Sequence, residues 1–184
     1  YQITNNSSTW NNLFYSLADL YDFMVKSEEA GASHHLAVAQ ALTAYQLALV
    51  ADTWGSVPFS KAFGKEETLT VPFDSEEDLY KAQVDLINKA LENFKKTDAT
   101  QELSAKDDLL CGADLDKWIK LTNGLKARVL NKISKKAAYN PKQVLAAAQA
   151  SLQSNAEDIG MSTFDGVNPW ASISISNLLN NLDD

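Results

Sequence analysis

Apolar positions along this chain recur at intervals of three and four, the spacing that lines one face of an α-helix. Leu13, Phe14, Leu17, Leu20, Tyr21, Met24 and Val25 form the first such stripe. It predicts a helix over about 10–30, capped by Ser8 or Thr9 and ended by Gly31. A second helix, about 34–52 with Ser33 as its cap, is apolar nearly all round, so it is expected between neighbours. Tyr80, Val84, Ile87, Leu91 and Phe94 predict a third helix over about 75–96. Asp74 with Glu77 has the form of a capping box at its entry. Leu115, Trp118, Ile119, Thr122, Leu125, Val129 and Ile133 predict a fourth helix over about 115–138, with Asp114 as its cap. Asn140-Pro141 opens a fifth, over about 141–155.

Between these stripes lie punctuated segments. Gly55, Pro58, Gly64 and Pro72 break residues 53–73 into an ordered loop. Residues 97–113 read as a polar loop around Cys111, and 156–184 as a loop with a short helix near 177–182. The fold class is therefore all-α: antiparallel helical hairpins stacked as a tetratricopeptide-like α-solenoid, within one domain of 184 residues. No fixed-period repeat is visible, so the repeats are degenerate.

The pivot of this arrangement is Ala44–Phe63, where a buried helix runs into a fixed loop. Ala44, Ala48 and Ala51 admit close helix neighbours. Gly55 supplies a positive φ at the helix end, and Pro58 prevents helical continuation. Two readings stand for it: a structural hinge between hairpins, or a loop that presents a binding surface.

Charge narrows the partners. The formal net charge is −8, and Arg128 is the one arginine. The lysines form no stripe, which argues against nucleic acid and against direct binding to an anionic membrane surface. A neutral or cationic ligand fits better. The chain starts at Tyr1 instead of Met, as expected of a processed form or a fragment.

Catalytic and cofactor patterns are weak. Gly64-Lys65 lacks the upstream glycine and following hydroxyl of a phosphate loop. His34 and His35 are adjacent, so a helix turns them about 100° apart and away from a shared metal. Cys111 has no histidine tied to it by a motif. The carboxylates fall mainly at caps and on polar faces, so a helical glycoside hydrolase is disfavoured. No enzyme, metal or cofactor is expected. Among the four tryptophans, Trp10 and Trp118 fall on core stripes and Trp54 stands at the pivot. Trp170, after Asn168-Pro169, is the candidate exposed platform for stacking on a sugar ring.

Four segments in order carry a family resemblance. Asp52-Thr53-Trp54-Gly55 with Val57-Pro58-Phe59 and Ala62 gives D-x-x-G-x-V-P-F-x-x-A. Val71-Pro72-Phe73-Asp74-Ser75 leads into Leu79-Tyr80. Asp108-Leu109 leads through Gly112-Ala113-Asp114 to Lys117-Trp118, and Trp118 is followed by Asn123, Leu125, Lys126 and Arg128. The set resembles the SusD/RagB family, closest to its branch of starch-binding proteins that associate with the outer membrane. The resemblance spans roughly Trp10 to Trp170 and matches the amino-terminal helical portion of longer members.

The resemblance implies a Gram-negative cell-surface lipoprotein that binds a glycan or oligosaccharide without catalysis. It implies a SusC-like TonB-dependent outer-membrane transporter as partner, with membrane attachment only through a lipid anchor outside this chain. Some members import peptides, so a peptide ligand is the variant of that reading. A tetratricopeptide-type scaffold for proteins or peptides is the competing one. No ligand-contact residue carries over by motif. The shared residues Asp52, Trp54, Gly55, Pro58, Asp74, Trp118, Asn123 and Arg128 read as structural. Arg128 is expected in a buried pair with Asp52, and Asn123 with it ties the fourth helix to the Asp52–Pro58 loop.

Overall fold

The structure is a computed structural model that describes residues 7–64, 70–97, 100–160 and 166. It contains five helices: α1 Ser7–Glu29, α2 Ser33–Trp54, α3 Glu76–Asn93, α4 Leu115–Asn131 and α5 Pro141–Gln149, followed by a 3₁₀ turn Asn155–Glu157. The one extended pairing among the described residues is an isolated antiparallel bridge between Val57 and Asp74. Each helix packs on the next in sequence, and α2 also touches α4. This is the layout of stacked helical hairpins expected from the apolar pattern.

Helix α2 is central because small side chains let its neighbours close in from several sides. Ala37, Ala39, Ala44 and Ala48 are fully or almost fully buried along it. One core cluster joins Leu17 of α1, Leu47 and Val50 of α2, Val57 of the loop and Leu79 of α3. A second joins Ala37 and Ala41 to Ala90, Phe94, Cys111 and Trp118. A third sets Ala44, Ile87 and Val129 together across α2, α3 and α4. Burial of this kind stabilises by about 25 cal/mol per Å² of apolar surface removed from water, and it outweighs the weak propensity of any one helix.

Several boundaries differ from the sequence expectation, each for a local reason. Ser33 is the first residue of α2 and not its cap; Ala32 holds the cap position with no side-chain hydrogen bond. The connection is too tight for anything else. Gly31, at φ +67°, closes α1 with bonds from Gly31 N–H to Glu28 O and from Ala32 N–H to Ser27 O. That is a Schellman motif, and it uses Ala32 to end one helix and begin the next. At α3 the cap is Ser75, whose Oγ accepts from Asp78 N–H at 3.2 Å, so the expected Asp74 and Glu77 box is displaced by one residue.

The carboxy-terminal ends are shorter than expected. Helix α3 stops at Asn93 instead of Lys96, because Phe94 is the last residue with a core to enter. Helix α4 stops at Asn131 instead of Ala138. Beyond it, bonds from Ser134 N–H to Asn131 O and from Lys136 N–H to Ile133 O span three residues and tighten the chain into turns. Lys132, Lys135 and Lys136 offer that stretch little to bury. Helix α5 stops at Gln149 instead of Asn155. The Gln153 carboxamide then donates to the carbonyls of Ala148 and Ser151, at 2.9 Å each, and satisfies the open helix end. The short helix expected near 177–182 lies outside the described residues.

Candidate functional site

The first motif builds the corner after α2. Gly55 ends that helix at φ +75° and ψ −116°, with its N–H bonded to Ala51 O at 2.9 Å. An L side chain is strained at this angle, and a Cβ there would stand 3.1 Å from Glu76 Oε1. Gly55→Ala is therefore expected to cost about 1–3 kcal/mol of stability, read from the midpoint of urea unfolding. A midpoint equal to wild type would mean that the corner relaxes freely.

Asp74 holds the outgoing loop. Its carboxylate accepts from the N–H groups of Phe59 and Ser60 at 2.8 Å each, and from the Ser60 hydroxyl. This explains why it does not cap α3. Val57 fills the core beneath, while Phe59 and Phe63 pack around the same cluster. Pro58 stands between the buried Val57 and the bonded Phe59, in the extended stretch that pairs with Asp74. Trp54 packs edge-on against Trp10 with ring centroids 5.1 Å apart, and Trp10 stacks on Phe14 at 4.2 Å. Both indoles do packing work at the corner.

The third motif is a tight node around Asp108. Its carboxylate accepts from the N–H groups of Leu110, Cys111 and Ala113, at 3.1, 2.9 and 2.8 Å. It also accepts from the Trp118 indole N–H at 2.7 Å. Burial by itself pushes the Asp108 pKa up, but the hydrogen bonds from Cys111, Trp118, Ala113 and Leu110 together outweigh it and hold the group below its ordinary value. Burial, with the negative charge of Asp108 beside it, pushes the Cys111 thiol up to about 12. A thiol held neutral in this way is a poor nucleophile, as the sequence suggested.

The fourth motif corrects an expectation. Arg128 does reach Asp52, but the contact is 3.8 Å and the side chains are 52% and 45% exposed. Lys132 makes the closer pair with Asp52, at 2.8 Å. The expected buried pair is thus a shared surface one, in which water screens the charges and the contribution is at most about 1 kcal/mol. Arg128→Ala should leave stability within about 0.5 kcal/mol of wild type, a change of melting temperature near the limit of detection. A large drop would restore the buried-pair reading. Asn123 does not tie α4 to the loop either; its amide donates to Ile119 O within its own helix, at 2.9 Å.

Among the described residues, two clefts on the helical stack stand out. One, of about 430 Å³, lies over α4 between α3 and α5 and presents Asn88, Asn123, Lys126 and Gln143. The other, of about 780 Å³, lies between the end of α2, the start of α3 and the 132–138 turns. Asp52, Glu76, Tyr80, Gln83, Lys132 and Lys136 are on its walls. Burial raises the Tyr80 pKa. Gln83 is 2% exposed, and its Oε1 meets no donor among the described residues. An oxygen left so costs about 1–3 kcal/mol. Sequence reasoning passed over Gln83, because a polar residue on an apolar stripe looks like an interruption of it.

Among aromatics open to solvent, Tyr15 is 68% and Phe73 64% exposed. Trp170 lies outside the described residues. Among the described residues no cluster of His, Cys, Asp and Glu has the form of a metal site, and no helix is long and apolar enough to cross a membrane.

Comparison with known proteins bears directly on this scaffold. A SusD-like family model, described as starch-binding and associating with the outer membrane, matches residues 1–182. No curated protein matches the chain. Among solved structures, a SusD/RagB family protein from Bacteroides thetaiotaomicron superposes with a TM-score of 0.77 at 25% identity, over 88% of this chain and 34% of that one. A chitin-binding SusD homologue from Flavobacterium johnsoniae gives 0.80 at 22% identity, over 97% of this chain and 38% of that one. A SusD homologue from Bacteroides vulgatus gives 0.74 at 24% identity, over 96% and 39%. The chain spans a little over a third of the length of these relatives. With helical hairpins of the same fold and a family match over nearly its whole length, the chain belongs to the SusD-like family of starch-binding proteins that associate with the outer membrane.

Proposed function

We propose that this chain is the helical part of a cell-surface, lipid-anchored protein that binds glycans without turning them over. It hands them to a SusC-like TonB-dependent transporter. The observation that carries this reading is the family match over residues 1–182. The chemistry supports it. Asp74 and Asp108 are engaged by loop amides, Asp114 caps α4, and Glu157 is paired with Lys120. Carboxylates committed in this way hold shape, and a binding scaffold needs shape more than proton transfer.

The test is affinity electrophoresis of the full-length protein in gels cast with starch or soluble chitin derivatives. Retardation by at least one polysaccharide, without release of reducing ends, is expected. Unchanged mobility in every gel would overturn glycan binding. Co-purification of the membrane-extracted protein with a TonB-dependent barrel tests the transporter partnership, and isolation without a barrel would count against it.

The scaffold reading has one observation in its favour. The cleft over α4 offers the amides of Asn88, Asn123 and Gln143, which suit the backbone of an extended peptide. Binding of a random peptide library, with no polysaccharide retardation, would move the assignment there.

A further inference from the structure

The smaller cleft, of about 430 Å³, has apolar walls from three helices: Val84 of α3, Leu130 of α4, and Ala146 and Ala147 of α5. Each helix of the stack packs on the one that follows it in sequence. Helix α5 packs on α4 behind it, and among the described residues no later α-helix follows. A stack whose last helix keeps an apolar flank open has room for one more element.

The sequence supplies a candidate of the right pattern and size. Past Gly166, the residues Ile175, Leu178, Leu179 and Leu182 stand at i, i+3, i+4 and i+7, one stripe of a helix, with serines and asparagines between them. A helix over 175–182 is about 12 Å long. The cleft follows α4 from Asn123 to Leu130, about 10 Å of helix. So short a helix is not stable alone in water and needs an apolar surface to form on.

The route of the chain fixes the direction of entry. Gly124 of α4 faces Ser151, just past α5, so the two helices run antiparallel and α5 ends beside the first half of α4. The chain then stays at that end: Glu157 pairs with Lys120, and Ile159 packs on the cluster that holds Trp118. The fourteen residues between Gly160 and Ile175 span up to about 46 Å, more than the path requires. A segment that enters from this end runs toward the start of α5. It finishes in Asp183 and Asp184, at the level of Lys142 in the first turn of α5. Lys142 stands one turn before Ala146 on the same side of that helix, and Lys126 lines the cleft. Neither lysine has an ion pair among the described residues. Acids at the carboxyl end of a helix oppose its dipole, and these two cations offset that cost.

We infer that residues 175–182 dock in this cleft as an amphipathic helix, apolar stripe against Val84, Leu130 and Ala146, with Asp183 and Asp184 toward Lys142 and Lys126. The cleft is then a seam of the fold and is closed to a peptide from outside. That removes the one observation in favour of the scaffold reading.

The experiment introduces Ala146→Cys and Leu179→Cys together in the intact chain and oxidises it with glutathione disulfide. The native Cys111 is buried and stays reduced. Free thiols should fall from three per chain to one, with no dimer on a non-reducing gel. The control pair, Tyr15→Cys with Leu179→Cys, puts the first thiol on the exposed side of α1, which packs on α2 alone, and should keep all three. Leu179→Asp keeps the test decisive if the cysteine pair does not fold. In ¹H–¹⁵N spectra of the labelled chain it should shift the backbone amides of 123–130 and 143–147 and leave those of α1 in place. Equal closure of both pairs, or cleft amides that do not move, overturns the inference. A disulfide between two chains gives the cleft to a second copy and overturns it as well.

Discussion

Trp118→Ala is expected to destabilise the chain by about 3–5 kcal/mol, the range for removing a buried aromatic side chain. Trp118 is 2% exposed and stacks on Phe94 with ring centroids 6.1 Å apart. Its neighbours in the core are Ala37, Val38 and Ala41 of α2, Ala90 of α3 and Cys111 of the loop. The indole therefore seats the first half of α4 on the α2–α3 hairpin, while Val129 seats the second half against Ala44 and Ile87. A methyl group in its place leaves a cavity bounded by elements that cannot all close in. Guanidinium unfolding monitored by circular dichroism at 222 nm reads the effect. Trp118→Phe should recover part of it, since a ring still faces Phe94, while the bond to Asp108 stays lost. A loss below about 1 kcal/mol for the alanine variant would mean that α4 is held elsewhere.

Much of this was legible in the chain itself. The stripes through Leu17, Ile87 and Val129 marked three helices, and all three residues are deep in the core. The apolar surround of α2 gave its central place. Gly31 and Gly55 marked helix ends because only a positive φ fits there, and both have one. Trp118 stood on an apolar face and is buried.

What was not legible depends on which polar group answers which. Asp74 stands where a cap would stand, but its oxygens bond the amides of Phe59 and Ser60, about fifteen residues back. Spacing along the chain says nothing of that. Asn93 and Gln40 are polar residues on apolar faces, and they are buried because they bond each other at 2.9 Å, across α2 and α3. The same faces carry Gln83, which has no such partner. A sequence shows all three as polar interruptions; only the packing separates the pair that is satisfied from the one that is not. Arg128 failed as a buried partner for a similar reason. Asp52 sits at the last turn of α2, where α4 runs out into the lysine-bearing turns, and Lys132 reaches it first.

Asp108 gives the second large effect, and pH exposes it. Asp108→Ala should cost about 3 kcal/mol, roughly two charged hydrogen bonds, because bonds that share an acceptor do not add in full. Three backbone N–H groups and the Trp118 indole would lose their acceptor together. The folded-state pKa of Asp108 lies below its ordinary value. The carboxylate's contribution is therefore fully present above the unfolded aspartate pKa of about 3.9, and it fades as pH falls from there through the lower folded value. The stability gap between wild type and Asp108→Ala should be constant between about pH 5 and 7 and narrow below about pH 3.9. A gap that held down to about pH 3 would show that folding leaves the carboxyl pKa unshifted, and one that widened would show it raised. A double-mutant cycle with Trp118→Phe then isolates the indole bond. Its coupling energy should be about 1–2 kcal/mol and shrink over the same acid range, because a protonated carboxyl is the weaker acceptor. Two residues ten positions apart would then be one structural unit. That explains why a motif of this family contains both an aspartate in a loop and a tryptophan in the helix that follows.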